Sequence, residues 1–199
     1  MSNFKLLNPD CVFIHIPKTG GTSIRKGIWN KNYEGPVFGY IPQAWESLFK
    51  FAFVRHPLQR FVSAYKMFTS GALGDKDWKL PPDWRPLNIE EFALIAMDET
   101  IVYDERRKTF EEKIRHHTIP QTHPFNCLRK ANYIGRFENL NEEFNIIGSK
   151  IGIKASLPKL HYTDSPPWQS LVTNELLESL LIYYKEDFKQ LNYSIPTLL

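Results

Sequence analysis

The feature that most constrains this chain is a short glycine-containing segment between an apolar run and an amphipathic pattern. The apolar run covers residues 11–16, and its length and β-branched residues predict a buried strand. Gly20 and Gly21 follow it, and Ile24 and Ile28 then recur at helical spacing. The sequence therefore predicts a strand, a tight glycine turn and a helix in direct succession.

The turn has the composition of an anion-binding loop. Two glycines let successive backbone N–H groups point into one concavity, and the helix adds the positive end of its dipole. Lys18, Thr22 and Ser23 add side-chain donors. Because Lys18 precedes the glycines, the segment departs from the Walker A loop, in which the lysine follows the last glycine. The segment favours a phosphate-like anion over the alternative of an ordinary turn, and it disfavours a magnesium-dependent nucleoside triphosphatase.

The same order of elements recurs twice along the chain. Residues 51–54 form a second apolar run that ends at Arg55, and a helical pattern follows; residues 133–137 predict a third strand with a helix after it. Strands that alternate with helices predict an α/β fold with a mainly parallel sheet. Arg55 and Ser63, at the strand end and in the next helix, are placed to reach a second phosphate.

The length of 199 residues suits a single domain, 1–199, with an insertion at about 69–132. Within the insertion, residues 71–88 are rich in Gly, Pro and Trp and predict a long loop, after which Asn88 and Glu91 predict a capped helix start. A last helix is predicted to begin after Thr173. Its apolar face consists of Leu177, Leu180, Leu181, Tyr184 and Phe188.

Composition excludes several other classes of protein. Apolar residues make up 42% and aromatic residues 14%, which excludes a disordered or collagen-like chain. A net charge of +3 is too small to predict nucleic-acid binding, and two cysteines cannot form a disulfide framework. The sequence shows no signal-peptide pattern and no apolar run of membrane-spanning length. We therefore expect a cytoplasmic protein with no nucleic-acid partner and no membrane span.

Four blocks of the sequence resemble one family in their order along the chain. Residues 15–23 closely resemble the 5′-phosphosulfate loop of sulfotransferases that use 3′-phosphoadenosine 5′-phosphosulfate (PAPS), and residues 53–65 resemble their 3′-phosphate motif. Residues 133–140 and 183–193 are similar to the third block and the closing helix of these enzymes. The resemblance is to the carbohydrate branch of these enzymes, which includes Golgi-type and bacterial members and is similar to sulfotransferase family 2.

The resemblance implies a P-loop-NTPase-like three-layer fold. It also implies transfer of a sulfuryl group from PAPS to an acceptor hydroxyl without metal. The implied nucleotide product is 3′-phosphoadenosine 5′-phosphate (PAP, also written 3′,5′-ADP). The resemblance further implies that Lys18 assists the departing bridge oxygen. The loop residues implied in donor binding are Lys18, Thr19, Gly20, Gly21, Thr22 and Ser23. Arg55 and Ser63 are implied to bind the 3′-phosphate, and Phe137 to lie against adenine, although Phe137 could instead be a core residue of a strand.

The general base is the point at which the sequence departs from the family pattern. Many relatives carry Gly-His-x-Pro after the first helix, whereas this chain has tyrosine at the histidine position, Tyr40. A tyrosine side chain has a pKa of about 10 and is a poor base near neutrality, so Tyr40 could bind the acceptor instead. His117 lies in a segment that resembles an acceptor-side motif of chondroitin-type relatives and is the alternative base. Further candidates are Glu34, Glu46 and His123.

The acceptor is expected to be a carbohydrate or another small hydroxyl compound. Aromatic and basic residues of the insertion could receive it or form a solvated face: Trp78, Trp84, Arg106, Arg107, Lys108, Arg115 and Arg129. The spacing of His117, His123 and Cys127 does not match a zinc site. Two alternative functions stay open: a PAPS- or PAP-binding module without its base, and a P-loop-like kinase. The oligomeric state also stays open.

Overall fold

A computed structural model describes residues 2–28, 32–69, 85–102, 109–153, 157 and 166–197. The chain divides into two compact units. The sheet unit consists of Met1–Arg55 and Gln121–Tyr162, and the helical unit consists of His56–Pro120 and Thr163–Leu199. Residues 71–84 of the predicted loop lie outside the described residues.

The sheet unit contains a five-stranded sheet in the order β3-β1-β2-β4-β5. Its strands are β1 Ser2–Leu7, β2 Asp10–His15, β3 Tyr33–Val37, β4 Phe49–Val54 and β5 Tyr133–Arg136. The three predicted strands are β2, β4 and β5, which pair in parallel, so the predicted α/β class is confirmed. β1 pairs antiparallel with both β2 and β3, and this half of the sheet was not predicted. Polar residues interrupt the apolar pattern of these two strands.

Both faces of the central strands are buried, as expected for parallel strands inside a sheet. Val12, Phe13 and Ile14 of β2 are each exposed by 1% or less. On one face of the sheet, Phe13 packs with residues of α1 (Gly21–Ile28) and α5 (Leu140–Ile151), among them Ile24 and Phe144. β2 leads into the glycine turn and β4 leads into Arg55, so both lie at the carboxyl edge of the parallel strands.

The helical unit packs its own apolar core. Its helices are α2 Pro57–Thr69, α3 Ile89–Met97, α4 Phe110–Thr118, α6 Asn174–Tyr183 and α7 Lys185–Gln190. Phe92 of α3 and Ile114 of α4 are fully buried and share one cluster with Phe61 of α2 and Leu180 of α6. The predicted insertion therefore contributes helices to the core of this unit. Among the described residues, no helix has both the length and the apolar character needed to cross a membrane.

The ends of the helices test the local sequence predictions. Asn88 accepts a hydrogen bond from the Glu91 N–H at 2.8 Å, and Glu91 accepts one from the Asn88 N–H at 3.0 Å, so the predicted capping box is confirmed. The last helix begins after Thr173 as predicted, but it ends at Tyr183 and α7 starts at Lys185. The prediction of one continuous helix was wrong. The intervening Tyr184 is fully buried, and its hydroxyl donates to a backbone carbonyl of α4 at 2.7 Å.

Candidate functional site

The turn between β2 and α1 contains two residues with left-handed backbone. Lys18 has a φ of 68° and Gly20 a φ of 84°. Such a conformation is uncommon at a residue with a side chain, so neighbouring contacts must hold Lys18 in place. The Thr19 hydroxyl donates to the Ile16 carbonyl at 2.8 Å, and Thr19 is fully buried. The Thr19 side chain therefore holds the turn together from the inside.

The start of α1 supplies backbone donors next to this turn. The Ile24 N–H donates to the Gly20 carbonyl at 3.1 Å, which closes the first helical turn. The first N–H groups of a helix have no partner within the helix and carry the positive end of its dipole. Thr22 is partly exposed, and Ser23 is 9% exposed. The local geometry therefore agrees with the predicted anion-binding loop, and the binding itself stays a prediction.

His15, the last residue of β2, packs directly against the start of α1. A Cβ atom on Gly21 would lie 2.0 Å from His15 Nε2, so any side chain at position 21 would force the ring or the start of α1 to move. The His15 ring stacks on Phe13 with 5.5 Å between the ring centroids. Its Nδ1 is buried and has no hydrogen-bond partner among the described residues. Burial, helped by the charge of Arg25, lowers the pKa of His15 to about 3.

Arg55 is held through both its backbone and its side chain. Its N–H donates to Gln121 Oε1 at 2.9 Å, and its carbonyl accepts from Gln121 Nε2 at 2.8 Å. Its guanidinium lies over the Phe137 ring, 4.3 Å from the centroid, and Nη1 lies 3.5 Å from the Lys18 carbonyl oxygen. Phe137 in turn packs against Gly20, where a Cβ would lie 3.2 Å from the ring. The sheet unit thus brings together four predicted site residues: Lys18, Gly20, Arg55 and Phe137.

Two features of this cluster differ from what the sequence indicated. Phe137 begins a 3-10 turn, Phe137–Asn139, because β5 ends at Arg136, so the alternative of a core residue within a strand is wrong. Gln121 was missed altogether. It lies 66 positions from Arg55, and a lone glutamine in a sequence is most often a surface residue. Its complete burial is visible only in the folded chain.

Two predicted site residues belong to the helical unit. Ser63 lies on α2 and is 3% exposed. His117 lies on α4, with Nδ1 at 2.8 Å from the Lys113 carbonyl oxygen and its ring against Phe68. Because a carbonyl only accepts hydrogen bonds, Nδ1 carries the proton in the neutral ring, which makes Nε2 the basic nitrogen. This tautomer is compatible with a general base, and the role of His117 stays a prediction.

The other candidates for the acceptor side lie in the sheet unit. The Tyr40 side chain is 60% exposed, and its backbone carbonyl accepts from Asn3 Nδ2 at 2.8 Å. Glu34 forms an ion pair with a lysine at 3.4 Å, Glu46 forms one at 3.0 Å, and His123 accepts a backbone N–H at 3.2 Å. Glu34, Glu46 and His123 are thus engaged in contacts within the sheet unit, whereas Tyr40 presents its ring to solvent.

Comparison with known proteins identifies the family. A model described as the sulfotransferase family matches residues 8–194. The chain belongs to the sulfotransferase family. No curated protein and no solved structure matches it significantly. The matched range includes the glycine turn, Arg55, β5 and the last two helices, and membership supports sulfuryl transfer as the class of reaction.

The predicted acceptor residues of this sulfotransferase need one correction. Arg115 is 5% exposed and donates from Nη1 to the Ala96 carbonyl at 2.8 Å, so it belongs to the interior of the helical unit and is not available as a surface charge. Trp78, Trp84 and residues 106–108 lie outside the described residues. Within the described residues, no group of three or more His, Cys, Asp or Glu side chains could hold a metal ion.

The lowered pKa of His15 predicts a pH dependence of the sulfotransferase's stability. Folded His15 stays neutral down to about pH 3, whereas the unfolded chain takes up this proton near its ordinary pKa of 6.5. The unfolded state therefore gains protons first, and stability is lost as the pH falls from 6.5 toward 3. The free energy of unfolding should fall between pH 7 and pH 4.5 in the wild type. We expect this fall to be smaller in His15→Gln by about 2 kcal/mol. Urea denaturation at both pH values measures this, and equal losses in both proteins would contradict it.

Proposed function

We propose that this sulfotransferase transfers a sulfuryl group from PAPS to a hydroxyl of an acceptor. The observation that carries the proposal is the position of Arg55, whose guanidinium lies beside the glycine turn. The turn and the start of α1 suit one phosphate, and the planar guanidinium suits a second, separate one. A nucleotide with phosphates on both its 5′ and 3′ positions matches this pair better than ATP does. Sulfotransferases in general use PAPS as the donor and release PAP.

The proposed chemistry assigns tasks to the start of α1 and to several predicted site residues. The N–H groups at the start of α1, with the Thr22 and Ser23 hydroxyls, hold the 5′-phosphate. In the transfer, a bond forms between the acceptor oxygen and sulfur while the bond from sulfur to the bridging phosphate oxygen breaks. Lys18 stabilises or protonates that bridging oxygen as negative charge develops on it. Arg55 and Ser63 bind the 3′-phosphate, and Phe137 lies against the adenine ring.

The acceptor side of the proposal rests on fewer residues. The acceptor hydroxyl must lose a proton, and His117 Nε2 is the candidate that accepts it. The exposed ring of Tyr40 suits packing against a sugar, because an aromatic face covers apolar C–H surface while the hydroxyl can form a hydrogen bond. A carbohydrate is therefore the proposed class of acceptor.

Transfer of ³⁵S from labelled PAPS to a panel of sugars, with EDTA present, tests the proposal. We expect labelled product and binding of 3′,5′-ADP that does not depend on Mg²⁺. Binding of 3′,5′-ADP without transfer, even after Tyr40→His, would instead support a nucleotide-binding module. Mg²⁺-dependent binding of ATP in preference to 3′,5′-ADP would contradict the proposed donor and favour a kinase.

Arg55→Ala is expected to weaken 3′,5′-ADP binding by about 10- to 100-fold, because hydrogen bonds to a charged group contribute about 1.5–3 kcal/mol. Binding of 5′-AMP, which lacks the 3′-phosphate, should change little. Isothermal titration calorimetry at one salt concentration measures both affinities. Arg129→Ala, which removes an exposed charge from the same unit, is the control. An unchanged ratio of the two affinities in Arg55→Ala would show that Arg55 does not bind the 3′-phosphate.

A further inference from the structure

Gln121 takes the place of a neighbouring strand for Arg55. The parallel pairing of β4 with β5 ends at Val54, which lies opposite Arg136, so Arg55 is the first residue beyond this ladder. Backbone N–H and C=O groups that leave a sheet in a crowded interior need other partners. The side-chain amide of Gln121 offers one acceptor and one donor, and it binds the N–H and the C=O of Arg55 at 2.9 and 2.8 Å. Both backbone groups of a single residue are thereby held by one side chain.

The Gln121 side chain is itself fixed in place. Gln121 is completely buried, and its backbone carbonyl accepts a hydrogen bond from Asn126 Nδ2 at 3.0 Å. Asn126 is 1% exposed and belongs to a 3-10 turn, Pro124–Asn126. A buried amide that is held in this way has few alternative rotamers. The position of the Arg55 backbone therefore depends on the position of the Gln121 backbone.

We propose that Gln121 is a positioning residue that fixes the backbone of Arg55 and thereby sets the selectivity for nucleotides that carry a 3′-phosphate. The inference rests on the proposed function, since it requires that Arg55 binds that phosphate. The Arg55 guanidinium reaches over Phe137 toward the glycine turn. Because it lies at the end of a long side chain, a small rotation of the Arg55 backbone displaces the guanidinium much further than it displaces the backbone atoms. A guanidinium that is already held in position loses less conformational entropy on binding, and this raises its affinity for the 3′-phosphate.

The helical unit offers a matched control for the loss of a glutamine side chain that bonds to both a backbone N–H and a backbone carbonyl. Gln59 donates from Nε2 to the Pro166 carbonyl at 3.0 Å and accepts from the Trp168 N–H at 3.2 Å. Gln59→Met therefore removes the same kind of bond pair as Gln121→Met, but from a different backbone segment. Methionine keeps the approximate volume of glutamine, so both variants avoid a large cavity.

The experiment compares the affinities for 3′,5′-ADP and 5′-AMP in the full chain and its variants. In Gln121→Met we expect the preference for 3′,5′-ADP to fall about tenfold, equivalent to about 1.4 kcal/mol, with 5′-AMP affinity unchanged. Once Arg55→Ala is present, adding Gln121→Met should change the preference no further, because the residue acts through Arg55. Gln121→Glu keeps the acceptor for the Arg55 N–H and should show a preference for 3′,5′-ADP between those of the wild type and Gln121→Met. If Gln121→Met does not fold, Gln121→Glu is compared with the wild type in its place.

The outcomes separate this inference from the function on which it rests. A wild-type protein that binds both nucleotides equally would overturn the proposed donor. If the wild type discriminates and Arg55→Ala removes the discrimination, an unchanged preference in Gln121→Met would overturn only the role of Gln121. An equal loss of affinity for both nucleotides, or the same loss of preference in Gln59→Met, would show a purely structural contribution and would also overturn it.

Discussion

Lys18→Ala is expected to lower the rate of sulfuryl transfer by about 100- to 1,000-fold, while the affinity for 3′,5′-ADP stays within about threefold of the wild type. In the proposed mechanism, the ammonium group acts on charge that develops on the bridging oxygen only as the bond to sulfur breaks. An interaction that strengthens in the transition state affects the rate more than ground-state binding. Single-turnover transfer of ³⁵S and calorimetric titration with 3′,5′-ADP measure the two quantities separately.

The control for this prediction is Lys26→Ala. Lys26 is an exposed residue of α1, so its removal lowers the charge of the same helix by one unit without altering the turn. We expect its transfer rate to remain near the wild-type value. Alanine at position 18 has to adopt the same φ of 68° as lysine, so strain at this residue differs little between the two proteins. Parallel losses of rate and of 3′,5′-ADP affinity in Lys18→Ala would show that Lys18 binds the ground state instead.

Gly21→Ala is expected to lower the free energy of unfolding by about 2–3 kcal/mol and to weaken nucleotide binding strongly. The added Cβ would lie 2.0 Å from His15 Nε2, so either the ring or the start of α1 has to move. The sign of the effect is informative, because alanine in place of glycine within a helix ordinarily stabilises by about 1 kcal/mol. Urea denaturation measures the stability, and titration with 3′,5′-ADP measures the state of the loop.

Removal of the His15 ring tests the reason for this effect. We expect Gly21→Ala to cost little or nothing in a His15→Ala background, because the atoms that the new Cβ would strike are absent. The coupling between the two substitutions should therefore approach the full cost of Gly21→Ala alone. If Gly21→Ala costs the same in both backgrounds, the requirement for glycine has another origin, such as the conformation of the turn itself.

Local sequence patterns were sufficient for the parallel strands, the glycine turn and the capped start of α3. Each of these depends on residues within a few positions of one another, through the period of apolar residues, the conformations open to glycine or a side chain bonding to a nearby N–H. The turn around Lys18 and the strand end at Arg55 were found in this way, and both lie within residues 8–194, which the family model matches. The break at Tyr184 was missed because its hydroxyl bonds to a residue 66 positions away.

The arrangement within the candidate site depends on contacts between segments that are distant along the chain. The sequence placed Arg55 at the end of a strand, but Gln121 and Phe137 hold it there through contacts that no local pattern encodes. The glycine at position 21 was predicted from its backbone freedom, whereas the folded chain shows that the His15 ring leaves no room for a side chain. Local propensities and the Thr19 contact with Ile16 shape the turn itself. The arrangement of the turn, Arg55 and Phe137 arises only when packing brings the ends of separate segments together, because the contacts among them join distant parts of the chain.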